Sequence, residues 1–267
     1  IEEFPADDID QIIIASASSI SFELVKSAME KQIDIVFLDW WGYPVGRIYP
    51  CRLGGTTLIR KKQAEAYSSN IGSEFAKTMI EAKILNQAYF LRSLGKARDN
   101  QEFIKTAEDL ITSSKNIHML EGTIDDIRPQ LLGLEGSTTN KYFDCLKTIL
   151  PFEKRDRFGD DMVNPILNYG YGVLYSEVER ACILAGLDPF LGFLHTDRYG
   201  KPSLVLDFIE EFRPIIVDRA VTTLFVQKQM KDTDYEKTEG GTKLTKEGRK
   251  KILTAVLERL NTKITLD

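Results

Sequence analysis

Hydrophobic and polar positions follow two different patterns along this chain, and the change falls near residue 60. Up to that point, β-branched runs are separated by turn residues in DQIIIAS, DIVFLDWWG and YPVGRIYP. Short apolar runs bounded by turn residues are typical of β-strands. Between the first two runs, SISFELVKSAMEKQ has the spacing of an amphipathic helix, with Ser21 as its cap. The pattern predicts strand, helix, strand, turn and strand.

Beyond this point the spacing becomes helical. No proline interrupts residues 60–98, and helix formers dominate the stretch that begins RKKQAEAY. Gly54 and Gly55 mark the change in composition. We therefore predict an α+β protein, with a small β-rich N-terminal domain over residues 1–59 and a larger all-α domain over residues 60–267. Because the chain opens directly on a strand-like segment, we expect the first strands of the β-rich domain to be missing from this sequence.

Prolines and candidate caps divide the helical part further. We predict a helix over residues 100–120 and a break in the next helix at Pro129. Asn164 followed by Pro165 is a favourable cap and first residue for a long helix. Pro214 predicts a kink or a restart in a later helix.

Composition and charge narrow the class of protein. The 267 residues include 35 Lys and Arg against 40 Asp and Glu, a net charge of −5, so only a local basic patch can support nucleic-acid binding. The 3 cysteines form no CxxC pair, which favours a reducing cytoplasm. No apolar run approaches the ~18 residues of a membrane span, and no signal-peptide pattern is present. We therefore expect a cytoplasmic protein that does not bind membranes.

An acidic helix edge near a histidine is the strongest candidate for chemistry. In SLVLDFIEEF the apolar residues recur at helical spacing, so Asp207, Glu210 and Glu211 share the opposite edge. Like charges this close repel each other unless a cation lies between them. A turn over residues 196–202 can bring His195 to the carboxylates. One nitrogen with several hard oxygens suits Mg²⁺ or Mn²⁺. An arginine between the carboxylates, or a solvated acidic edge beside a core histidine, is the alternative.

Four further residues are weaker candidates. Glu135 lies in LLGLEG among residues whose spacing directs them to the core, where a carboxylate is costly unless it is paired or metal-bound. His118 has no carboxylate constellation around it, so we expect a structural or surface histidine. Trp40 and Trp41 precede Gly42, and such an aromatic pair is expected to be a core or dimer contact.

Several long motifs, in the same order, resemble the CRISPR-associated protein one family, the integrase that inserts new spacers during CRISPR adaptation. In the helical part they are LLGLEGSTTNKYF, NPILNYGYGVLYSEVERACILAGLDPFLGFLH and GKPSLVLDFIEEFRPIIVDR. DQIIIASASSISFELVKSAMEKQIDIVFLDWWGYPVGRI resembles the family's β-rich domain, and AKILNQAYFLRSL and LTKEGRKKILTAVLERL resemble other helices of the family. The similarity covers nearly the whole chain. It implies a β-rich domain that forms a homodimer and an all-helical catalytic domain.

The resemblance also implies roles for individual residues. The family's catalytic residues fall on Glu135, His195, Asp207 and Glu210, and its ligands for a Mg or Mn divalent cation on Glu135, His195 and Glu210. The resemblance does not decide which of Asp207 and Glu210 binds the metal directly. Other positions match the family as supports of the site or DNA contacts: Tyr142, Asn164, Asn168, Tyr169, Arg198, Ser203 and Arg213.

The implied partners are DNA, as spacer precursor and CRISPR repeat, and the small CRISPR-associated protein two. Because the chain is acidic overall, we expect DNA to bind a local positive rim. Its residues are Arg198, Lys201, Arg213 and Arg219, together with Lys154, Arg155 and Arg157. Binding by such a rim weakens steeply as salt rises.

The implied reaction is a transesterification, in which a DNA 3′-hydroxyl attacks a phosphodiester and charge builds on the phosphate oxygens. A divalent ion held by Glu135, His195 and Glu210 would polarise that phosphate. Asp207 would orient a ligand or relay a proton. Two other classes compete with an integrase: a metal-dependent nuclease or resolvase of branched DNA, and a catalytically silent scaffold that holds DNA or partners. Strand-transfer products would separate the integrase from the nuclease.

Overall fold

The computed structural model describes residues 4–51, 56–195, 200–238 and 241–262. It has a small strand-containing N-terminal part and a larger helical part, which confirms the predicted α+β class. The N-terminal part contains β1 (Gln11–Ile14), α1 (Phe22–Glu30), β2 (Asp34–Leu38) and β3 (Pro44–Ile48). The sheet has the order β1-β2-β3, with β1 parallel and β3 antiparallel to β2.

β2 connects the sheet to the rest of the molecule because its two faces pack against different partners. Ile35 joins Ala28 of α1 in a small core of the N-terminal part. Val36, on the opposite face, belongs to the main core with the helices. The predicted cap of α1 is confirmed, since the Ser21 hydroxyl accepts a hydrogen bond from the backbone N–H of Leu24 at 3.1 Å.

The helical part contains α2 (Thr56–Tyr67), α3 (Asn70–Arg98), α4 (Gln101–Ser114), α5 (Ile124–Leu146), α6 (Val163–Leu184), α7 (Ser203–Phe212), α8 (Arg219–Val226) and α9 (Lys246–Leu260). A two-stranded antiparallel hairpin, β4 (Tyr235–Thr238) with β5 (Gly241–Leu244), precedes α9. α3 packs against α4, α5 and α7. Because α2 contains the predicted boundary after residue 59, the division into two domains stays a prediction. Within the described ranges, no helix is long and apolar enough to cross a membrane.

The predicted break at Pro129 is wrong. α5 runs continuously through Pro129. The missing proline N–H deprives only the carbonyl of Asp125, four residues earlier, of its helical partner. Asp125 is exposed in the first turn of the helix, so water can solvate that carbonyl.

The predicted start of the long helix is also wrong, by a small margin. α6 begins at Val163, so Asn164 already lies inside the first turn. The capping group is the carboxylate of Asp161, whose Oδ1 accepts hydrogen bonds from the N–H groups of Val163 at 2.7 Å and Asn164 at 2.8 Å. The helix predicted over residues 100–120 ends at Ser114 and continues only as a 3-10 turn.

α6 is the central helix of the molecule. Every residue from Val163 to Leu174 is buried. On one side the helix meets the β2–β3 turn at backbone distance: a Cβ at Gly172 would lie 2.1 Å from the carbonyl oxygen of Gly42. This contact holds the N-terminal sheet directly against the helix that supports the candidate site.

Between α7 and α8 the chain forms one π-helical segment, Arg213–Asp218. Pro214 lies at its start and has no N–H to bond the carbonyl of Glu210. The turn is wider here than in an α-helix, and the helix continues through Pro214. The predicted kink or restart is therefore replaced by a π-helical segment. In a π-helix the hydrogen bonds join residues five apart, which brings Arg213 and Asp218 toward the same face.

Candidate active site

Asp207 is fully buried in the second turn of α7, where it anchors the segment that carries His195. Its Oδ2 accepts hydrogen bonds from the backbone N–H groups of Phe193 at 2.6 Å and Leu194 at 3.0 Å. Its Oδ1 accepts from the backbone N–H of His195 at 2.9 Å. The same Oδ1 lies 2.7 Å from Nδ1 of the His195 ring. Four hydrogen bonds therefore saturate this carboxylate.

His195 is held in one orientation by that contact. A carboxylate only accepts hydrogen bonds, so Nδ1 carries a proton, and in the neutral form of an imidazole the other nitrogen, Nε2, keeps its lone pair. This is the arrangement in which histidines bind metals, with one nitrogen oriented by a carboxylate and the other free to coordinate. The alternative of a solvated acidic edge is wrong for Asp207 and Glu210, since both are buried.

Glu135 from α5 and Glu210 from α7 meet at the ammonium of Lys83 from α3. Lys83 Nζ donates to Glu135 Oε1 and, at 2.5 Å, to Glu210 Oε2. The hydroxyl of Thr139 also donates to Glu135 Oε1, at 3.1 Å. On its other oxygen, Glu210 accepts from Nη1 of Arg213 at 2.5 Å. The structure thus brings together two carboxylates that are 75 residues apart in the sequence.

The charged groups in this cluster shift one another's pKa values. Burial alone would raise the pKa of Glu210, but Arg213 and Lys83 outweigh it and lower that pKa to about 2. Burial would lower the pKa of Lys83, and the neighbouring Glu210 and Glu135 raise it instead. Glu210 and Lys83 are therefore both charged at neutral pH, as a buried ion pair must be to offset its desolvation.

The fit of a divalent cation to this cluster depends on Lys83. In the described part of the chain, no three His, Cys, Asp or Glu side chains form a ready metal cage. The Lys83 ammonium lies between the two carboxylates. The donors themselves fit Mg²⁺ or Mn²⁺, because Glu135 and Glu210 already share one cation and His195 offers an oriented nitrogen. Glu135, His195 and Glu210 would hold the ion once Lys83 has moved aside.

A buried layer of aromatic and acidic groups lies beneath Arg213. The guanidinium carbon of Arg213 lies 4.7 Å from the centroid of the Tyr171 ring. The Tyr171 hydroxyl donates to Asp218 Oδ1 at 2.5 Å, and the Tyr142 hydroxyl donates to Asp218 Oδ2 at 2.9 Å. Burial raises the pKa of Asp218 to about 6, although both tyrosine hydrogen bonds oppose the rise. This layer fixes Arg213 and so the side of Glu210 that it contacts.

A cavity of about 360 Å³ opens beside Glu135 and Lys83. Its basic lining residues are Arg155, Arg157, Lys201 and Arg213, in addition to Lys83. Arg155 and Arg213 are held by internal hydrogen bonds. By contrast, no described residue accepts a hydrogen bond from the side chains of Arg157 or Lys201. These two cations are free to bind an anionic substrate, and we call this cavity the catalytic cleft.

The other sequence-predicted residues lie in different surroundings. Arg198 falls in residues 196–199, outside the described residues. Tyr142 and Asn164 are buried and bonded within the protein, so a direct DNA contact would require them to be uncovered. Lys154 and Arg219 line other cavities than the cleft.

Lys83 was not predicted from the sequence, although one signal pointed to it. It lies in the apolar stretch EAKILNQ, one residue before the buried Ile84. A lysine within such a stretch needs a counter-charge, just as Glu135 does in LLGLEG. Two oppositely charged residues on apolar helix faces are therefore candidates to pair with each other.

Comparison with known proteins shows the family of this chain. A profile of the family described as "CRISPR associated protein Cas1" matches residues 1–258. "CRISPR-associated endonuclease Cas1 1" of Archaeoglobus fulgidus is 37% identical over 277 residues, covering 96% of this chain and 79% of its own. A protein with the same description from Pyrobaculum aerophilum is 38% identical over 217 residues, covering 80% and 70%. The chain belongs to the Cas1 family.

Solved structures agree with this assignment. The structure described as "Casposase bound to integration product" has a TM-score of 0.82 and 29% sequence identity, covering 97% of this chain and 72% of its own. A CAS1 protein from Thermotoga maritima has a TM-score of 0.79 at 24% identity, covering 96% and 81%. A "Cas6-RT-Cas1--Cas2 complex" contains a chain with a TM-score of 0.76 at 22% identity, covering 94% of this chain and 28% of its own. The last two establish the shared fold.

Proposed function

We propose that this protein is a metal-dependent DNA integrase and endonuclease that inserts spacer DNA into a CRISPR array by 3′-hydroxyl attack on a phosphodiester. The observation that carries the proposal is the convergence of Glu135 and Glu210 on one cation, beside a histidine oriented by Asp207. The relatives named Cas1 endonucleases and the casposase bound to integration product support the same class of chemistry.

Glu135, Glu210 and Nε2 of His195 are the proposed ligands of Mg²⁺ or Mn²⁺, which when bound supplies a Lewis acid for the scissile phosphate. Asp207 is a positioning residue, because all of its hydrogen-bonding capacity is spent on His195 and its segment. Glu210 is therefore the better choice as the direct ligand. Arg157 and Lys201 bind the DNA phosphates along the cleft, since no described residue accepts a hydrogen bond from their side chains.

A strand-transfer assay tests the reaction and the site together. The reaction contains short DNA with free 3′ ends, a repeat-containing target, Mn²⁺ or Mg²⁺, and CRISPR-associated protein two where it is required. We expect metal-dependent joining by the wild type, and loss of joining by about 100-fold or more in His195→Ala. His118→Ala is the matched control, because the other histidine is exposed and, among the described residues, its ring pairs with Glu81 alone, at 2.9 Å.

The products decide between the competing functions. Products joined to the repeat support an integrase, whereas cut ends without joining support the metal-dependent nuclease or resolvase. Equal joining by His195→Ala and the wild type would refute the proposed site. DNA binding without joining or cutting under any of these conditions would support the scaffold.

A homodimer formed through the N-terminal part belongs to the same proposal. β3 is an edge strand of the sheet, and its Val45 is 68% exposed. Phe22 and Trp40 of the same part are exposed as well. An exposed apolar edge is a natural pairing surface. Sedimentation of Val45→Lys against the wild type tests it: the variant should shift toward monomer, and an unchanged dimer would place the interface elsewhere.

A further inference from the structure

A second cavity, of about 250 Å³, lies beside the catalytic cleft. Its walls come from the β2–β3 turn, the segment before α6 and the start of β5. The two cavities share Tyr43 and Arg157. A DNA strand that follows the cleft would therefore pass the opening of the second cavity, which we call the side pocket.

The side pocket has three aromatic side chains in its lining. Trp41, Tyr43 and Phe158 line it, and Phe158 is 89% exposed. An aromatic ring so open to water gains little from the core of its own protein, so it is available to a ligand. Lys243 and Arg157 lie near the faces of Trp41 and Tyr43, 5.4 Å and 5.0 Å from the ring centroids. Aromatic faces with nearby cations are the platforms on which proteins stack the bases of single strands.

The polar groups of the side pocket suit a base better than a phosphate. Asp39 lines it, and its Oδ1 accepts the backbone N–H groups of Trp41 at 2.8 Å and Tyr43 at 2.9 Å. No described residue donates a hydrogen bond to its Oδ2. A carboxylate oxygen repels phosphate but accepts hydrogen bonds from the exocyclic amino group of a base. Arg157, at the junction with the cleft, can bind the phosphate that links that base to the neighbouring nucleotide.

We propose that the side pocket binds one unstacked nucleobase of the DNA substrate, next to the nucleotide that lies in the catalytic cleft. The inference rests on the proposed function, because it assumes that DNA occupies the cleft. Trp41 and Phe158 supply the stacking surfaces and Asp39 Oδ2 accepts from the amino group. A base with an exocyclic amino group is therefore preferred to thymine at that position.

The chain offers an internal reporter for this binding, since it has only 2 tryptophans. Trp41 lines the side pocket, whereas Trp40 packs under Arg249, 4.9 Å from its ring centroid. Trp40→Phe keeps a ring at that contact and leaves Trp41 as the single emitter. The experiment titrates this variant with a single strand that has a free 3′ end, and with the same strand carrying one abasic site at each position near that end.

We expect the intact strand to quench Trp41 emission, and one abasic position to abolish the quenching. The same abasic site should weaken binding by about tenfold, at the low end of the cost of losing one stacked base. In Phe158→Ala the penalty of that abasic site should shrink, because the stacking partner is already gone. Tyr89→Ala is the control: this tyrosine is exposed on α3, outside both cavities, and should leave the penalty unchanged.

Two results would overturn the inference: equal binding of all the abasic strands, or the same abasic penalty in Phe158→Ala as in its parent. Strand transfer measured on the same preparations separates this inference from the proposed function. Normal joining together with equal binding of all the abasic strands refutes only the proposal that the side pocket binds a base. An abasic-sensitive Trp41 signal without metal-dependent joining or cutting refutes the proposed reaction but leaves the base-binding site in place.

Discussion

Asp207 has more hydrogen bonds than any other carboxylate of the site, and all four of its donors come from the segment with His195. Three of them are backbone N–H groups, so the aspartate shapes the segment as well as orienting the imidazole. An amide cannot replace it, because the nitrogen of the amide would face N–H donors. Stability and activity are therefore coupled at this one residue.

Asp207→Asn should lower the free energy of unfolding by about 2–3 kcal/mol, since it removes charge-assisted hydrogen bonds inside the protein. It should also lower strand transfer by about 10- to 100-fold through the loss of ligand orientation. Urea unfolding and the joining assay measure the two effects. The control is Glu211→Gln on the same helix, whose carboxylate receives no hydrogen bond from the described residues. Equal stability of the two variants would contradict this role of Asp207.

Lys83→Met removes the cation that competes for the two carboxylates. Without metal, Glu135 and Glu210 lose their shared ammonium, so the variant should melt at a lower temperature than the wild type. Added Mn²⁺ should raise the melting temperature more in the variant than in the wild type, because no lysine has to be displaced. Thermal melting with and without Mn²⁺ measures both.

Lys77→Met is the matched control for Lys83→Met. Lys77 lies on the same helix, is similarly buried and, within the described ranges, pairs only with the exposed Glu74, at 2.8 Å. Its substitution should leave the Mn²⁺ shift unchanged. The same Mn²⁺ shift in Lys83→Met as in the wild type would mean that Lys83 does not occupy the metal position.

At the scale of the elements, the π-helical segment explains why Arg213 and Asp218 act on the same ring. Five residues separate them, and the widened turn sets both against Tyr171. A regular α-helix would turn them to different faces. Pro214 therefore shapes the site from outside, by setting the helix geometry that holds Arg213 against Glu210.

The pKa of Asp218, at about 6 against an ordinary 3.8, predicts a pH dependence of stability. Between these two values the folded protein holds the proton that the unfolded chain releases. The free energy of unfolding therefore falls by about 2 kcal/mol from this group as pH rises from 4 to 6, and by about 3 kcal/mol over the whole range from below pH 3 to above pH 7. Asp218→Asn should remove this falling contribution. Urea unfolding at several pH values measures the slope, and parallel profiles of variant and wild type would contradict the prediction.

The surroundings of Gly172 and Gly133 predict opposite effects of an alanine at the two positions. Gly172→Ala should cost about 3 kcal/mol of stability, because its Cβ would overlap the backbone of the β2–β3 turn. Gly133→Ala should add about 0.5–1 kcal/mol, because that glycine is exposed in α5 with no atom within 4 Å of the added Cβ. Thermal unfolding of both measures the difference. A harmless Gly172→Ala would mean that the sheet can move away from α6.

How far the sequence could predict these elements depends on the range of the interactions that form them. Spacing and the Ser21 cap are local, so the first helix was predictable. The continuation of α5 through Pro129 depends on the exposure of one carbonyl, which periodicity does not report. The pairing of Lys83 with Glu135 and Glu210 spans 52 and 127 residues, so no local pattern contains it. Its position in LLGLEG made Glu135 only a weak candidate, paired or metal-bound, and the family resemblance gave it the role of a metal ligand.

At the scale of the whole molecule, charge is distributed unevenly. The net charge is −5, yet the cleft places Arg157 and Lys201, whose side chains donate no hydrogen bond to the described residues, near Glu135. DNA binding should therefore depend on these few cations, and its affinity should fall steeply with salt. The basic lining of the cleft is smaller than the rim that the sequence predicts, since Lys154 and Arg219 line other cavities.

Lys201→Gln should weaken DNA binding to all sequences alike and reduce the slope of log affinity against log salt by about one. Lys105→Gln is the control, because Lys105 is exposed on α4, outside the cleft. Fluorescence anisotropy with labelled DNA at several salt concentrations gives both slopes. An unchanged slope in Lys201→Gln would remove this residue from the DNA path.

The unbroken burial of α6 from Val163 to Leu174 also constrains how this chain can diverge. Most helices have a solvent-exposed face, on which neutral substitutions accumulate at every third or fourth residue. Here that side is missing for three turns, and any replacement must fit the sheet, the π-helical segment and the last helix at once. Descendants of this protein should therefore keep this stretch almost unaltered while the helices around it change freely, even though it holds none of the proposed metal ligands.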